Sequence, residues 1–216
     1  MASYILRAKK SLGQHFLRDK NIADRIARAA NVNSCNVVEI GPGPGSLTKS
    51  ILEHGAKKLI SIEKDSRCLK ELANLAIEYN DRLVLIEGDA LDFNLSKIKD
   101  TKLKIVANLP YNISVPLLIK YLQQINHISQ MTLMFQKEVA DRLVAQPKNP
   151  NYGRLSVMAQ SVCDVNIEFN VNKKAFFPPP KVLSTIVTFK PKTKRYTANW
   201  KSLEQVTRAA FGQRRK

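Results

Sequence analysis

The feature that most restricts the fold of this chain is a regular exchange, between Cys35 and Gln136, of short apolar runs with segments of helical periodicity. "NVVEI" (36–40) leads to "SLTKSILEHG" (46–55), "KLISIE" (58–63) to "RCLKELANLAIEY" (67–79), and "RLVLIEGD" (82–89) to "LKIVANLP" (103–110). "VPLLIKYLQQI" (115–125), "QMTLMFQ" (130–136) and "KEVADRLVAQ" (137–146) continue the series. Short Val, Ile and Leu runs without polar alternation are strands buried on both faces, and the helical segments between them supply the crossovers that parallel strands need. The expectation is an α/β fold with a mostly parallel sheet covered on both sides.

Ahead of the series, "DKNIADRIARAANV" places Ile22, Ala23, Ile26, Ala27 and Ala30 on one face of a helix starting near Asp19, expected to cap the sheet. After Gly153, "DVNIEFNVN" and "LSTIVTFK" predict two antiparallel strands joined by the proline-stiffened "KKAFFPPPKV". From Asn199 a further amphipathic helix begins.

Charge narrows the class of partner. The chain carries 35 Lys and Arg against 18 Asp and Glu, a net +17 in 216 residues. The excess is concentrated at the ends, at Arg7, Lys9, Lys10, Arg18 and Lys20, then Lys190, Lys192, Lys194, Arg195, Arg208, Arg214, Arg215 and Lys216. Such an excess points to a polyanion, and if the two ends share a face they form a track for nucleic-acid phosphates. No run approaches the roughly 18 apolar residues of a membrane span, and the N-terminus lacks a signal-peptide pattern, so a cytoplasmic protein with no membrane partner is expected. Cys35, Cys68 and Cys163 are scattered, as are His15, His54 and His127, so no metal site and no disulfide is expected.

The expected strand ends carry the chemistry. The first runs into "GPGPGSLT", where Gly41, Gly43 and Gly45 precede a helix and let a ligand approach bare backbone. Glu63 ends the second, about 20 residues on, where an acid meets ribose hydroxyls in nucleotide-binding folds. Asp89 ends the third. A glycine loop with two acids outlines an adenosine site. Ser46 stands where a dinucleotide loop has its third glycine, and no Gly-Lys-Ser/Thr is present to grip a triphosphate, so a positively charged adenosine ligand such as S-adenosylmethionine fits better.

At the end of the fourth strand, "NLPYNIS" (108–114) interrupts an apolar run with an amide, a proline and a tyrosine. Methylating an exocyclic adenine amine requires localising a lone pair that is delocalised into the ring. The Asn108 amide oxygen and a backbone carbonyl of the Leu109-Pro110 turn are suited to accept both amine hydrogens. Tyr111 offers a face for a flipped-out base. No strongly perturbed general base is needed, and the pocket beside Asn108 should be roomy enough for an amine already carrying one methyl.

These stretches together resemble the class I S-adenosylmethionine-dependent methyltransferases, and closely the family of ribosomal RNA small-subunit adenine dimethyltransferases. "KKSLGQHFL" (9–17), "VEIGPGPGSLT" (38–48), "IEKD" (62–65), "EGDAL" (87–91), "NLPYNIS" (108–114), "FQKEVADRL" (135–143), "YGRLSV" (152–157), "FFPPPKV" (176–182) and "AFGQRRK" (210–216) occur in the family's order across nearly the whole chain. The resemblance implies a Rossmann-like fold with a mostly parallel seven-stranded sheet. It implies cofactor contacts at His15, Leu17, Gly41, Gly43, Glu63, Asp89 and Asn108, with His15 where many members have Asn. Asn108, Leu109, Pro110 and Tyr111 would form the catalytic motif, and Phe177 would help sandwich the target adenine. S-adenosylhomocysteine would be the product of the cofactor.

The same resemblance implies dimethylation of two adjacent adenosines near the 3′ end of small-subunit rRNA. The implied partners are that rRNA and the immature small ribosomal subunit, with the enzyme acting as a monomer. Residues 1–194 would form the catalytic domain with its N-terminal helical extension, and 195–216 would begin a small C-terminal helical domain, cut short at Lys216. Two alternatives share the fold: a large-subunit rRNA adenine methyltransferase of the macrolide-resistance type, and a relative that binds nucleic acid without catalysis.

Overall fold

The computed structural model describes residues 6–98, 102–194 and 199–212. Its seven-stranded sheet runs in the order β4-β3-β2-β5-β6-β9-β7. β2 (Asn36–Ile40), β3 (Lys58–Glu63), β4 (Leu83–Glu87), β5 (Leu103–Ala107) and β6 (Ile128–Gln136) are parallel. β9 (Ser184–Pro191) pairs antiparallel with both β6 and β7 (Cys163–Val171). The two late strands thus pair as expected, with β9 inserted between β6 and the edge strand β7.

Alternating side chains of each strand enter two cores. Val37, Leu59, Val106 and Met134 pack with Ile26 and Ala27 of α1 (Lys20–Ala30) and Ile51 and Leu52 of α2 (Ser46–Glu53), while Leu75 and Ala76 of α3 (Ser66–Tyr79) close the same face. Val38, Ile62, Ile105 and Leu133 face the opposite way, onto Leu117, Leu118, Tyr121 and Leu122 of α4 (Tyr111–Gln123). Ala140 and Leu143 of α5 (Lys137–Val144) and Ala159 of α6 (Arg154–Gln160) complete that second core. Helices on both faces bury the sheet on both sides, so its strands are apolar throughout.

Helix starts follow local chemistry. Asp19 accepts the Ile22 N–H at 3.2 Å and caps α1, and Asp65 accepts the Arg67 N–H and caps α3. α7 (Trp200–Phe211) lies on α6, with an Arg154–Glu204 ion pair at 3.2 Å and Trp200 against the second core.

Three local expectations are corrected. Asp89 does not end a strand: β4 stops at Glu87, because the Asp89 carboxylate accepts the Leu91 N–H and bends the chain. Tyr111 is the first residue of α4, which starts before Val115 because Pro110 sets the backbone angle that leads into the helix. A separate two-stranded ribbon, β1 (Phe16–Leu17) with β8 (Phe176–Phe177), joins the N-terminal segment to the proline loop, a pairing of strands too short to show a sequence period.

Candidate active site

The order in which strands are added to the sheet reverses at β2, which is followed outward by β3 and β4 on one side while β5 and β6 lie on the other. Beyond the carboxyl ends of β2 and β5 this switch leaves a crevice, the usual ligand position of open α/β sheets. The glycine loop, Glu63, Asp89, the Asn108–Tyr111 motif and the N-terminal residues Ser11 to Leu17 all line this cleft.

The glycine loop requires its glycines. Gly41 and Gly43 have φ of +65° and +57°, left-handed conformations that glycine alone adopts without strain. A Cβ at Gly41 would meet nothing within 4 Å, so the space over that backbone is open to a ligand; one at Gly43 would meet the Phe16 ring at 3.0 Å. Phe16, brought in by the β1–β8 ribbon, is therefore packed against the loop.

Glu63 is 7% exposed and held by two backbone donors, Gly43 N–H to Oε2 at 3.1 Å and Asp65 N–H to Oε1 at 2.8 Å. Burial raises its pKa and those backbone bonds oppose the rise. Each carboxylate oxygen keeps acceptor capacity for vicinal hydroxyls. Asp89 is more open; Lys64 Nζ donates to its Oδ2 at 2.8 Å, and that bond holds its pKa below the usual carboxylate range. The set of bare glycine backbone, ribose-type acceptor and second acid fits an adenosyl sulfonium.

Across the cleft, Asn108 Nδ2 donates to the His15 carbonyl at 3.1 Å. With the nitrogen engaged there, the amide oxygen is the end left for a substrate. Pro110 O accepts the Ile113 N–H at 3.1 Å, so within the Leu109-Pro110 turn the Leu109 carbonyl is the acceptor left free among the described residues. The Tyr111 hydroxyl shares a 2.6 Å hydrogen bond with buried Ser184, and burial raises its pKa, so the phenol stays protonated and the ring is fixed at its tip. The His15 ring lies 5.8 Å from the Tyr111 ring, tilted by 32°, and its Nδ1 donates to Pro178 O at 2.8 Å.

His15, Leu17, Gly41, Gly43, Glu63, Asp89, Asn108, Leu109, Pro110 and Tyr111 thus meet around one cleft. Phe177 does not line it. It stands outside, 44% exposed, across from Phe16 in the ribbon, with the Arg18 guanidinium 4.2 Å above its ring. Phe176, its neighbour, is buried in the first core. Four residues with no assigned role in the sequence reading also shape the cleft: Gln14, Lys64, Asp65 and Ser184. "GQHFL" and "IEKD" contain three of them, but a motif does not state which partner each side chain takes.

The basic track is thinner than the sequence suggests. Lys9 turns to Asp65 at 3.6 Å, Lys20 to Asp24 and Glu53 at 3.0 Å, and Lys192 to the Gln160 carbonyl at 2.6 Å. Lys10, Lys190, Lys194 and Arg208 are exposed, and Arg195, Arg214, Arg215 and Lys216 lie outside the described residues.

The family model for ribosomal RNA adenine dimethylase matches residues 5–216. A protein of Rhodospirillum rubrum named ribosomal RNA small subunit methyltransferase A is 49% identical over 218 residues, spanning 100% of this chain and 76% of its own length. A protein of the same name from the Wolbachia of Brugia malayi is 46% identical, over 100% and 84%. Among solved structures, a dimethyladenosine transferase from Plasmodium falciparum superposes with a TM-score of 0.84 at 37% identity, over 94% of this chain and 72% of the other. The 23S rRNA methyltransferase ErmE superposes with a TM-score of 0.73 at 25% identity, over 89% and 77%.

Proposed function

From the premise that the chain belongs to the ribosomal RNA adenine dimethylase family, we propose how its own residues carry out methyl transfer to adenine amines of small-subunit rRNA. The enzyme is an S-adenosylmethionine-dependent rRNA adenine dimethyltransferase. The bound cofactor supplies an electrophilic methyl group on a sulfonium. Glu63 would hold the ribose hydroxyls, Asp89 the adenine end, and the backbone at Gly41 and Gly43 the remainder, with His15 and Leu17 covering the site from the N-terminal segment.

Asn108 Oδ1 and the Leu109 carbonyl accept the two hydrogens of the target amine and turn its lone pair toward the methyl. Passage of that methyl to the amine nitrogen, with the carbon–sulfur bond breaking as the nitrogen–carbon bond forms, would leave S-adenosylhomocysteine, and the extra amine proton would pass to water. For the second transfer one hydrogen remains to be accepted. Tyr111, pinned at its hydroxyl, stacks the flipped base. Phe177 would close on the other face of the adenine after moving in from the rim, a stack worth roughly 1–3 kcal/mol. Orientation of the two reactants accounts for most of the acceleration, up to about 7–11 kcal/mol in well-aligned systems.

The observation that carries this reading is the Asn108 to His15 bond, which engages the amide nitrogen and presents its oxygen. We take the target to be two adjacent adenosines near the 3′ end of the rRNA within an immature small subunit, the enzyme to act as a cytoplasmic monomer, and residues 195 onward to begin a second, helical domain. No described helix is long and apolar enough to cross a membrane. Immature small subunits and naked large-subunit RNA, each incubated with methyl-labelled cofactor, test the substrate. Label in the small subunit alone is expected, and label only in large-subunit RNA would reverse the assignment. The 46–49% identity to proteins named for the small subunit favours the first outcome.

A further inference from the structure

The wall of the cleft formed by Ser11 to Gln14 belongs to a segment that contributes, among the described residues, only a turn and two ribbon residues before α1, so something other than sheet pairing must hold it in place. That something converges on one carboxylate. The Asp65 side chain is fully buried, at 0% exposure. Its Oδ2 accepts Gln14 Nε2 at 3.0 Å and an Arg67 guanidinium nitrogen at 2.6 Å, and its Oδ1 accepts Arg67 Nε at 2.9 Å with Lys9 Nζ 3.6 Å away. Gln14 is itself shared, because its Oε1 accepts the Lys9 N–H at 2.8 Å, and Arg67 reaches on to the Arg7 carbonyl at 3.1 Å. Residues 7, 9 and 14 are therefore tied to a single point on α3.

The same residue reaches the cofactor acid through its main chain, since the Asp65 N–H is one of the two donors that orient Glu63. We propose that Asp65 is a positioning residue that clasps the N-terminal segment over the cleft, so that release of an adenosyl ligand requires the clasp to open. This rests on the reading of the cleft as the cofactor site. A buried carboxylate whose donors come from another chain segment is costly to strip of one partner, and a bond to a charged acceptor is stronger than a neutral one. Opening is thus a discrete step that releases Ser11 to Gln14, while His15 keeps its own bonds to Asn108 and Pro178.

Asp65 also caps α3, so its substitution alone would confuse clasp with helix stability. Gln14→Glu leaves the cap untouched and sets a second carboxylate against Asp65. Dissociation of S-adenosylhomocysteine from the full chain is measured by stopped flow for wild type, Gln14→Glu and Asp65→Asn, with trypsin cleavage after Lys9 and Lys10 followed in parallel without ligand. Dissociation is expected to quicken about tenfold or more in both variants, as loss of a charged hydrogen bond implies, with faster cleavage of the unliganded variants and a smaller fall in melting temperature for Gln14→Glu, which keeps the α3 cap, than for Asp65→Asn. Dissociation and cleavage both matching wild type would overturn the clasp. Absence of S-adenosylhomocysteine binding by wild type would overturn the cofactor reading and the clasp's function with it, while faster cleavage in Gln14→Glu would still register the tether.

Discussion

Asn108, one residue past β5, donates its side-chain N–H to the carbonyl of His15, 93 positions earlier in the chain. The bond decides which end of the amide is left to the cleft. Asn108→Ala removes the acceptor and is expected to lower single-turnover methyl transfer by at least about a hundredfold, in the range seen when an oriented stabilising group is removed from an active site. Asn108→Asp keeps an oxygen but sets a carboxylate against the His15 carbonyl with no donor between them. It should weaken S-adenosylhomocysteine binding as well as rate. Single-turnover label transfer together with calorimetric titration checks both, and transfer unaffected by Asn108→Ala would sink the mechanism.

Tyr111 separates ring from hydroxyl. Tyr111→Phe keeps the stacking face but strands the buried Ser184 hydroxyl, so a stability loss of about 1–3 kcal/mol is expected with a smaller loss of rate. Tyr111→Ala removes the ring and should cost roughly 10- to 100-fold in methylation, the value of one base stack. Denaturant melts and methylation assays on both variants give the comparison; equal rate losses would remove the stacking role.

Gly41 and Gly43 share a backbone conformation but not surroundings. Alanine at either one costs about 1–2 kcal/mol for the left-handed backbone. At Gly43 the new methyl also collides with Phe16, so Gly43→Ala should melt the lower of the two. At Gly41 the methyl enters open cleft, so Gly41→Ala should show the larger loss of cofactor affinity relative to its loss of stability. Thermal melts paired with binding titrations discriminate them, and identical profiles would count against the cleft as the binding place.

Glu39 supplies a pH dependence. It is fully buried on β2, accepts the Ser61 hydroxyl at 2.8 Å, and its other oxygen has no hydrogen-bond partner among the described residues. Burial pushes its pKa from 4.5 up to about 7. The unfolded chain loses this proton near 4.5 and the folded chain near 7, so stability falls as pH rises through that window. The loss is roughly 3 kcal/mol and complete above the folded value. Glu39→Gln should flatten that fall and be the more stable form at pH 8. Urea unfolding of both proteins at pH 5 and pH 8 reads the effect, and parallel pH profiles would contradict it.

Much of the architecture is legible locally. The apolar runs at 36–40, 58–63 and 103–107 can be strands only in a sheet covered on both faces, and the helix over Lys20–Ala30 is written in the spacing of Ala23, Ile26, Ala27 and Ala30 behind an Asp cap. The acids and glycines of the cleft were legible too, because a topological switch brings consecutive strand ends to one crevice whatever the details of packing. Boundaries were less so: Asp89 and Tyr111 moved from their expected elements because one side-chain hydrogen bond and one proline decide where a strand ends and a helix begins.

The layered α/β fold, the glycine loop and the residue types at the crevice are thus written in the chain locally, since each follows from periodicities and spacings within a few turns. How those residues are aimed depends on contacts between distant segments. Asn108 is oriented by His15, Tyr111 by Ser184 73 residues away, and the N-terminal wall of the cleft by Asp65 51 residues from Gln14. Phe177 was left on the rim under Arg18 in the same way. A hydrogen bond between distant segments has no period to leave in the sequence; it exists only because the packed sheet carries both partners to within about 3 Å of each other.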